Sequence, residues 1–266
     1  MDERGIDINA VSQTNPMVYW APPAFGLKLS QVWNDACAEA HLKYPQRIVG
    51  TIMLPMQDPN LAVQELDRAA NLPGMRAVWM GEAINGKNLH DKSFWPVYER
   101  CEALGLPICL HTIFAYGTER LSEFFLLTLL GNPYEAGVAA SVLVFGGVLD
   151  AFPNLVFMLP HAGGAFPWLI GRLDYGYQAG VPELQHIKQP PSAYLRRFYY
   201  DSILHNPQRL QILTELVGAD RIVLGSDYDQ ALAYKQPVNF IESVPRLSTY
   251  ERELILGGNA ARMLKL

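Results

Sequence analysis

Long hydrophobic runs are missing from this chain: no stretch reaches the roughly 18 uninterrupted apolar residues that a membrane-spanning helix needs. The longest apolar tract, Ala136 to Leu149, is broken by glycines and reads as a buried helix. The opening MDERGIDINA has no apolar signal region. Cysteine is scarce. Cys37, Cys101 and Cys109 are the three in 266 residues, they form no C-x-x-C pair, and their odd number argues against a secreted disulfide framework. Reduced thiols in a cytoplasmic setting follow. Charge is sparse as well, at 18% of residues and a formal net of -5 with the acids dispersed, which excludes a nucleic-acid surface and a basic membrane patch. Short repeats and low-complexity tracts are also absent. What is plentiful is apolar side chain, 50% of the chain, enough at this length for a large core in one domain over residues 1–266.

The stretch LVFMLPHAGGAFPWLIGRLD, Leu155 to Asp174, organises the rest. Its apolar run is too short for a free helix and suits a strand buried on both faces. Pro160 ends that run, His161 and two glycines turn the chain, and Phe166-Pro167-Trp168 opens a helix. Strands read the same way at Gly5–Ser12, Arg47–Leu54, Met75–Met80, Leu106–Leu110, Phe198–Tyr200 and Arg221–Leu224. Helices between them are signalled by Ser30, Asp58-Pro59, Ser93 with Gly105, and Asn206-Pro207 with Gly218, and near the end by Ser248 with Glu251. Residues 121–152 form a helical insertion of two helices broken at Gly131-Asn132-Pro133. Seven alternations predict an α/β fold of the (β/α)₈ type, a TIM-like barrel with its first strand missing from this chain.

In such a barrel the strand tips converge. ICLH111, MLPH161, YYD201 and VLGSD227 would then bring two imidazoles and carboxylates to one mouth, a nitrogen and oxygen set suited to zinc, manganese or iron. Each residue also has a plainer reading. His111 alone is a hydrogen-bonded strand end, Asp227 a turn residue, Asp201 a support for a neighbouring loop, and Glu82 a loop residue beside Gly81. Arg172 is a solvated helix residue, a partner of Asp174, or a carboxylate-binding group. His41, His90, His186 and His205 read as surface or structural.

Taken together, His111, PHAGGAFPWLIGRLD, FYYDSI, VLGSDYD and LGGNAARML resemble the amidohydrolase-related metal-dependent barrels, a family that includes aminocarboxymuconate semialdehyde decarboxylase and the hydroxybenzoate-type decarboxylases. The resemblance implies His111 and Asp227 as metal ligands, His161 as the group that exchanges a proton with substrate or water, and Arg172 as an arginine reaching a substrate carboxylate in the neighbouring subunit. Two departures stand out. The family's first strand carries His-x-His or Glu-x-His, which this sequence lacks; Glu39-Ala40-His41 has the letters but falls on a helix, and Met1–Asp7 looks like the end of the family's first helix, so the missing strand is expected upstream. Asp229 also replaces the family's usual proline.

These readings lead to a metal-dependent decarboxylase of a small unsaturated or aromatic carboxylic acid, with zinc as the first choice of divalent metal and manganese or iron as alternatives. His161 and Asp227 would do the catalysis and Arg172 would bind substrate. A hydrolase of a lactone or amide at the same mouth, and a metal-free binding protein, are the alternatives. The partner is a small carboxylate, with no nucleic acid and no membrane, and the assembly is a homodimer or larger homo-oligomer.

Overall fold

A computed structural model describes residues 1–113, 118–228 and 230–266. Seven strands form one sheet in chain order: β1 (Asn9–Val11), β2 (Ile48–Met53), β3 (Met75–Gly81), β4 (Ile108–His111), β5 (Phe157–Leu159), β6 (Phe198–Asp201) and β7 (Ile222–Val223). Every neighbouring pair is parallel. Parallel neighbours need crossovers, and helices supply them: α1 (Pro23–Lys43), α2 (Pro59–Ala69), α3 (Trp95–Leu104), α4 (Asn132–Phe145), α5 (Ile170–Gln178) and α6 (Pro207–Val217). This is the barrel the alternation predicts, with the first strand of the eight missing and β1 and β7 left as its two edges.

The side-chain alternation within each strand builds two cores. Val49, Ala77, Cys109, Met158, Tyr199 and Val223, one from each of six consecutive strands, point inward and pack on one another, with Leu264 of the last helix against them. The alternate positions, among them Ile52, Val78, Leu110, Phe157, Phe198 and Ile222, point outward into the layer of helices and are buried there. Both faces of the sheet are therefore apolar, which is why the strands read as near-continuous hydrophobic runs rather than alternating ones. His111 lies two residues beyond Cys109 and so shares its inward face, at the end of β4 where the mouth opens.

Particular side chains lock the helices to the strands. Asn34 of α1 accepts from Met53 N at 2.8 Å and donates back to Met53 O at 3.0 Å, so one amide completes the ladder at the tip of β2. Asn259, in the closing LGGNAARML motif, donates to Ala219 O and Ile222 O, each at 2.7 Å, and pins the last helix beneath β7. The capping box of Ser248 and Glu251 is present. Across the two free edges, Gln230 Nε2 donates to Thr14 Oγ1 at 3.3 Å and the Arg4 guanidinium lies 4.1 Å from the centre of the Tyr228 ring.

The structure moves several boundaries. α1 starts at Pro23, seven residues before Ser30, which is buried inside the helix. Gly26 reads locally as a breaker, but a Cβ there would fall 2.2 Å from Gln57 Nε2, so it is a contact point and not an end. Asp91 rather than Ser93 makes the cap before α3, accepting from Ser93 N at 2.8 Å. No break occurs at Gly131-Asn132-Pro133. A π-helical turn, Leu127–Gly131, runs directly into α4, and Pro133 sits in its tolerated first-turn position. α5 begins at Ile170, because residues 161–169 are spent on successive tight turns. No helix among the described residues is long and apolar enough to cross a membrane.

Candidate active site

His111 ends β4 with Nδ1 3.0 Å from Thr112 O. A carbonyl only accepts, so Nδ1 carries the proton and Nε2 keeps its lone pair. Nε2 faces Asp227, 4.0 Å from Oδ1. Trp79, also inward from β3, stacks on the imidazole at a centroid distance of 5.5 Å and 29° between planes, which restrains its rotation. Asp227 follows β7 in a left-handed conformation, φ 52°, and its loop is drawn in where Gly225 N donates to Ser202 Oγ at 3.1 Å.

His161 completes the mouth, with its ring 6.1 Å from that of His111. It begins four successive residues of positive φ, His161 52°, Ala162 54°, Gly163 75° and Gly164 53°, an arrangement that points consecutive N–H groups to one side. Asp201, at the tip of β6, receives them. His161 N donates to Oδ2 at 2.9 Å, Ala162 N to Oδ1 at 2.7 Å, and Ile203 N to Oδ1 at 3.0 Å. Asp201 is thus the support for the neighbouring loop. Burial pushes its carboxyl up to about 6, against the three N–H donors that pull it down. His161 moves the other way, down to about 4, because burial disfavours imidazolium and His111 adds like charge. Its Nδ1 is sealed from solvent with no hydrogen-bond partner among the described residues.

The remaining candidates separate. Glu82 lies in the bend that follows β3, as its loop reading expects, but it is buried there, takes a hydrogen bond from Thr112 Oγ1, and burial drives its carboxyl well up, with Glu135 and Asp201 adding repulsion. Arg172 lies exposed on α5, and its guanidinium makes no hydrogen bond or ion pair among the described residues. Asp174 is not its partner, since that carboxylate accepts from Ser192 N at 2.8 Å. His41 is structural, with Nδ1 2.7 Å from Ile48 O on β2. Asp229 lies outside the described residues.

A cleft of about 450 Å³ opens beside Asp227. His161 and Asp227 line it together with Leu129, Leu130, Pro133, Tyr134 and Trp168. His205 lines it too, a position whose sequence context, just before the Asn206 cap, disguised it. Its only sequence signal was lying four residues past a strand tip.

The donor chemistry of the mouth fits a divalent ion in part. Metal bonds of about 2.0–2.2 Å reach from one centre to both a histidine nitrogen and a carboxylate oxygen spaced as these are. Nevertheless no group of three His, Cys, Asp or Glu is gathered to hold an ion among the described residues, and catalytic zinc takes three or more protein ligands. His111 and Asp227 by themselves fall short of such a set.

The chain is similar to known proteins in both sequence and fold. The family model described as Amidohydrolase matches residues 6–266. The chain is 37% identical over 264 residues to a 2-amino-3-carboxymuconate-6-semialdehyde decarboxylase of Dictyostelium discoideum, covering 98% of this chain and 73% of that protein. It resembles the crystal structure of a 5-carboxyvanillate decarboxylase from Sphingomonas paucimobilis with a TM-score of 0.91 and 28% identity, covering 100% of this chain and 81% of that one. A dihydroxybenzoic acid decarboxylase from Polaromonas sp., crystallised with manganese and the inhibitor 2-nitroresorcinol, matches with a TM-score of 0.88 and 27% identity, covering 100% of this chain and 84% of that one.

Proposed function

This chain belongs to the amidohydrolase family, and from that membership we propose that it is a metal-dependent decarboxylase of a small unsaturated or aromatic carboxylic acid. The observation that carries the reading is that Asp227 and His161 line one cleft, with His111 Nε2 4.0 Å from Asp227 Oδ1 and His161 Nδ1 sealed from solvent without a hydrogen-bond partner among the described residues. His111 Nε2 and an Asp227 oxygen would hold the ion, zinc by first choice and manganese or iron otherwise; bound there, it draws electron density from the bond to the leaving carboxylate.

The chain's own groups do the rest. The wall of Leu129, Leu130, Pro133, Tyr134 and Trp168 takes a flat apolar ring and displaces water. His161 is held neutral by burial, and an arriving anion favours its charged form. Protonated in that complex, the imidazole gives its proton to the carbon that has lost carbon dioxide, and Asp201 keeps the ring in place through its grip on the backbone N–H groups of His161 and Ala162. Asp227 serves both as ligand and as a carboxylate beside the reacting centre.

In this reading the whole chain acts as one barrel domain, and Arg172 serves a neighbouring copy. Support comes from its exposure without an ionic partner among the described residues and from apolar surface nearby, where Trp168 is 40%, Leu169 49% and Tyr175 74% exposed. A homodimer or larger homo-oligomer follows. Three buried unpaired thiols suit a reducing, cytoplasmic setting.

The test is a panel of carboxylic acids, lactones and amides offered to protein reconstituted with zinc or manganese. Release of carbon dioxide without incorporation of solvent oxygen is the expected result. Turnover of a lactone or amide with solvent oxygen in the product, and none of the acids, overturns it in favour of a hydrolase. Elemental analysis finding no tightly held metal overturns it in favour of a binding protein.

A further inference from the structure

The cleft carries a polar side chain that the proposed reaction does not use. His161 and Asp227 line it together with the apolar Leu129, Leu130, Pro133 and Trp168, and a third polar side chain, His205, lines it as well. His205 is not placed by chance. Its backbone is held left-handed at φ 54°, a conformation that costs a non-glycine residue free energy and persists where surrounding contacts impose it. Those contacts are visible: His205 N donates to the Tyr234 hydroxyl at 2.5 Å, and the imidazole lies against the Tyr234 ring at 4.7 Å. Tyr234 is in turn stacked on Phe240 at 4.5 Å with 27° between planes. Two aromatic rings therefore back the imidazole, while neither of its nitrogens has a hydrogen-bond partner among the described residues.

A ring nitrogen oriented by a stack, left without a protein partner and lining a ligand cleft, is a ready hydrogen-bond donor for something in that cleft. It is exposed enough to meet a ligand, and it lines the same cleft as His161. A planar acid whose leaving carboxylate lies toward His161 and Asp227 carries any further oxygen elsewhere on its ring.

We propose that His205 is a specificity-determining residue, donating a hydrogen bond to a second acceptor oxygen, carboxylate or hydroxyl, on a planar carboxylic acid. The inference rests on the reading of the cleft as the acid-binding site. It adds a preference for substrates bearing two oxygen functions over simple monoacids.

The test measures binding, which separates it from turnover. Isophthalate, 3-hydroxybenzoate and benzoate are titrated by calorimetry into zinc-reconstituted full chain, as wild type, His205→Phe and His205→Gln. One charge-assisted hydrogen bond predicts that wild type holds isophthalate about tenfold tighter than benzoate. His205→Phe should erase that preference while benzoate affinity stays within about twofold, and His205→Gln, which keeps a donor, should retain part of it. If 3-hydroxybenzoate follows isophthalate, a neutral oxygen suffices; if it follows benzoate, the partner is an anion. The proposal falls if wild type shows no preference, if the preference survives in His205→Phe, or if both variants weaken all three acids alike while their melting curves stay unchanged. Absence of carbon dioxide release with the preference intact sinks the decarboxylase reading and leaves this one standing.

Discussion

His161 and Asp201 are joined by backbone hydrogen bonds and shifted by the same cause, burial, in opposite directions. Signs matter here. His161 falls from 6.5 to about 4, so its contribution to stability is complete above the unfolded value and is lost as pH falls from there through about 4. Asp201 rises from 3.8 to about 6, so its contribution is present at low pH and is lost as pH rises through about 6. Between those values the two oppose each other and flatten the wild-type profile. Replacing His161 with Gln should remove the first, leaving stability that declines as pH rises from about 4 to 6, measured as denaturation midpoints across that range. The same variant should lower kcat on a decarboxylated acid by about 10²- to 10⁴-fold, the usual contribution of a positioned acid or base. Asp201→Asn probes the partner. Its amide puts an N–H₂ where one carboxylate oxygen accepts, so a backbone N–H loses its acceptor, at a cost of about 1–3 kcal/mol in chemical denaturation. Asp201 itself was legible only as an alternative, because a carboxylate at a strand tip looks the same whether it binds an ion or a turn.

The turn between β5 and α5 shows why element boundaries resist local reading. Phe166-Pro167-Trp168 carries a helix-start signature, but the backbone from His161 to Gly164 must stay left-handed to present its N–H groups to Asp201, and the helix waits until Ile170. Gly164 is the critical residue. At φ 53° a Cβ would fall 1.7 Å from Pro133 O at the start of α4, where nothing can yield but backbone. Gly164→Ala should therefore cost roughly 2–4 kcal/mol, combining a disfavoured conformation with a forced shift of α4. Its melting midpoint should drop by roughly 5 °C or more for a chain of this size. Gly171 is the control. It sits in α5, where an added methyl group would meet nothing within 4 Å, so Gly171→Ala should be neutral or gain about 0.5–1 kcal/mol of helix propensity.

The proposed assembly gives Arg172 its role. No group among the described residues engages its guanidinium, and Arg172 is not among the residues that line the cleft; the proposed role in catalysis is in a second copy's cleft. Arg172→Lys keeps the charge and loses the bidentate fork, so kcat/KM should fall by about tenfold or more while the melting midpoint holds. Sedimentation of wild type at micromolar concentration should show a dimer or larger species. A fully active, monodisperse monomer would refute both the shared site and the interface. The free edges β1 and β7 belong to the same order of organisation, since unpaired strands are the exposed backbone of this sheet.

From sequence order came the strand and helix alternation, the parallel sheet and the strand-tip positions of His111, His161 and Asp227, because burial on both faces and caps at helix ends are written in local side-chain type. Tertiary structure alone decided which tips meet. It set His111 Nε2 4.0 Å from Asp227 Oδ1, gave Asp201 to the backbone of the His161 turn, left Arg172 exposed, and brought His205 into the cleft. Those outcomes depend on how residues separated by tens of positions pack against one another, and on left-handed backbone turns that distant acceptors hold in place, neither of which any single segment contains.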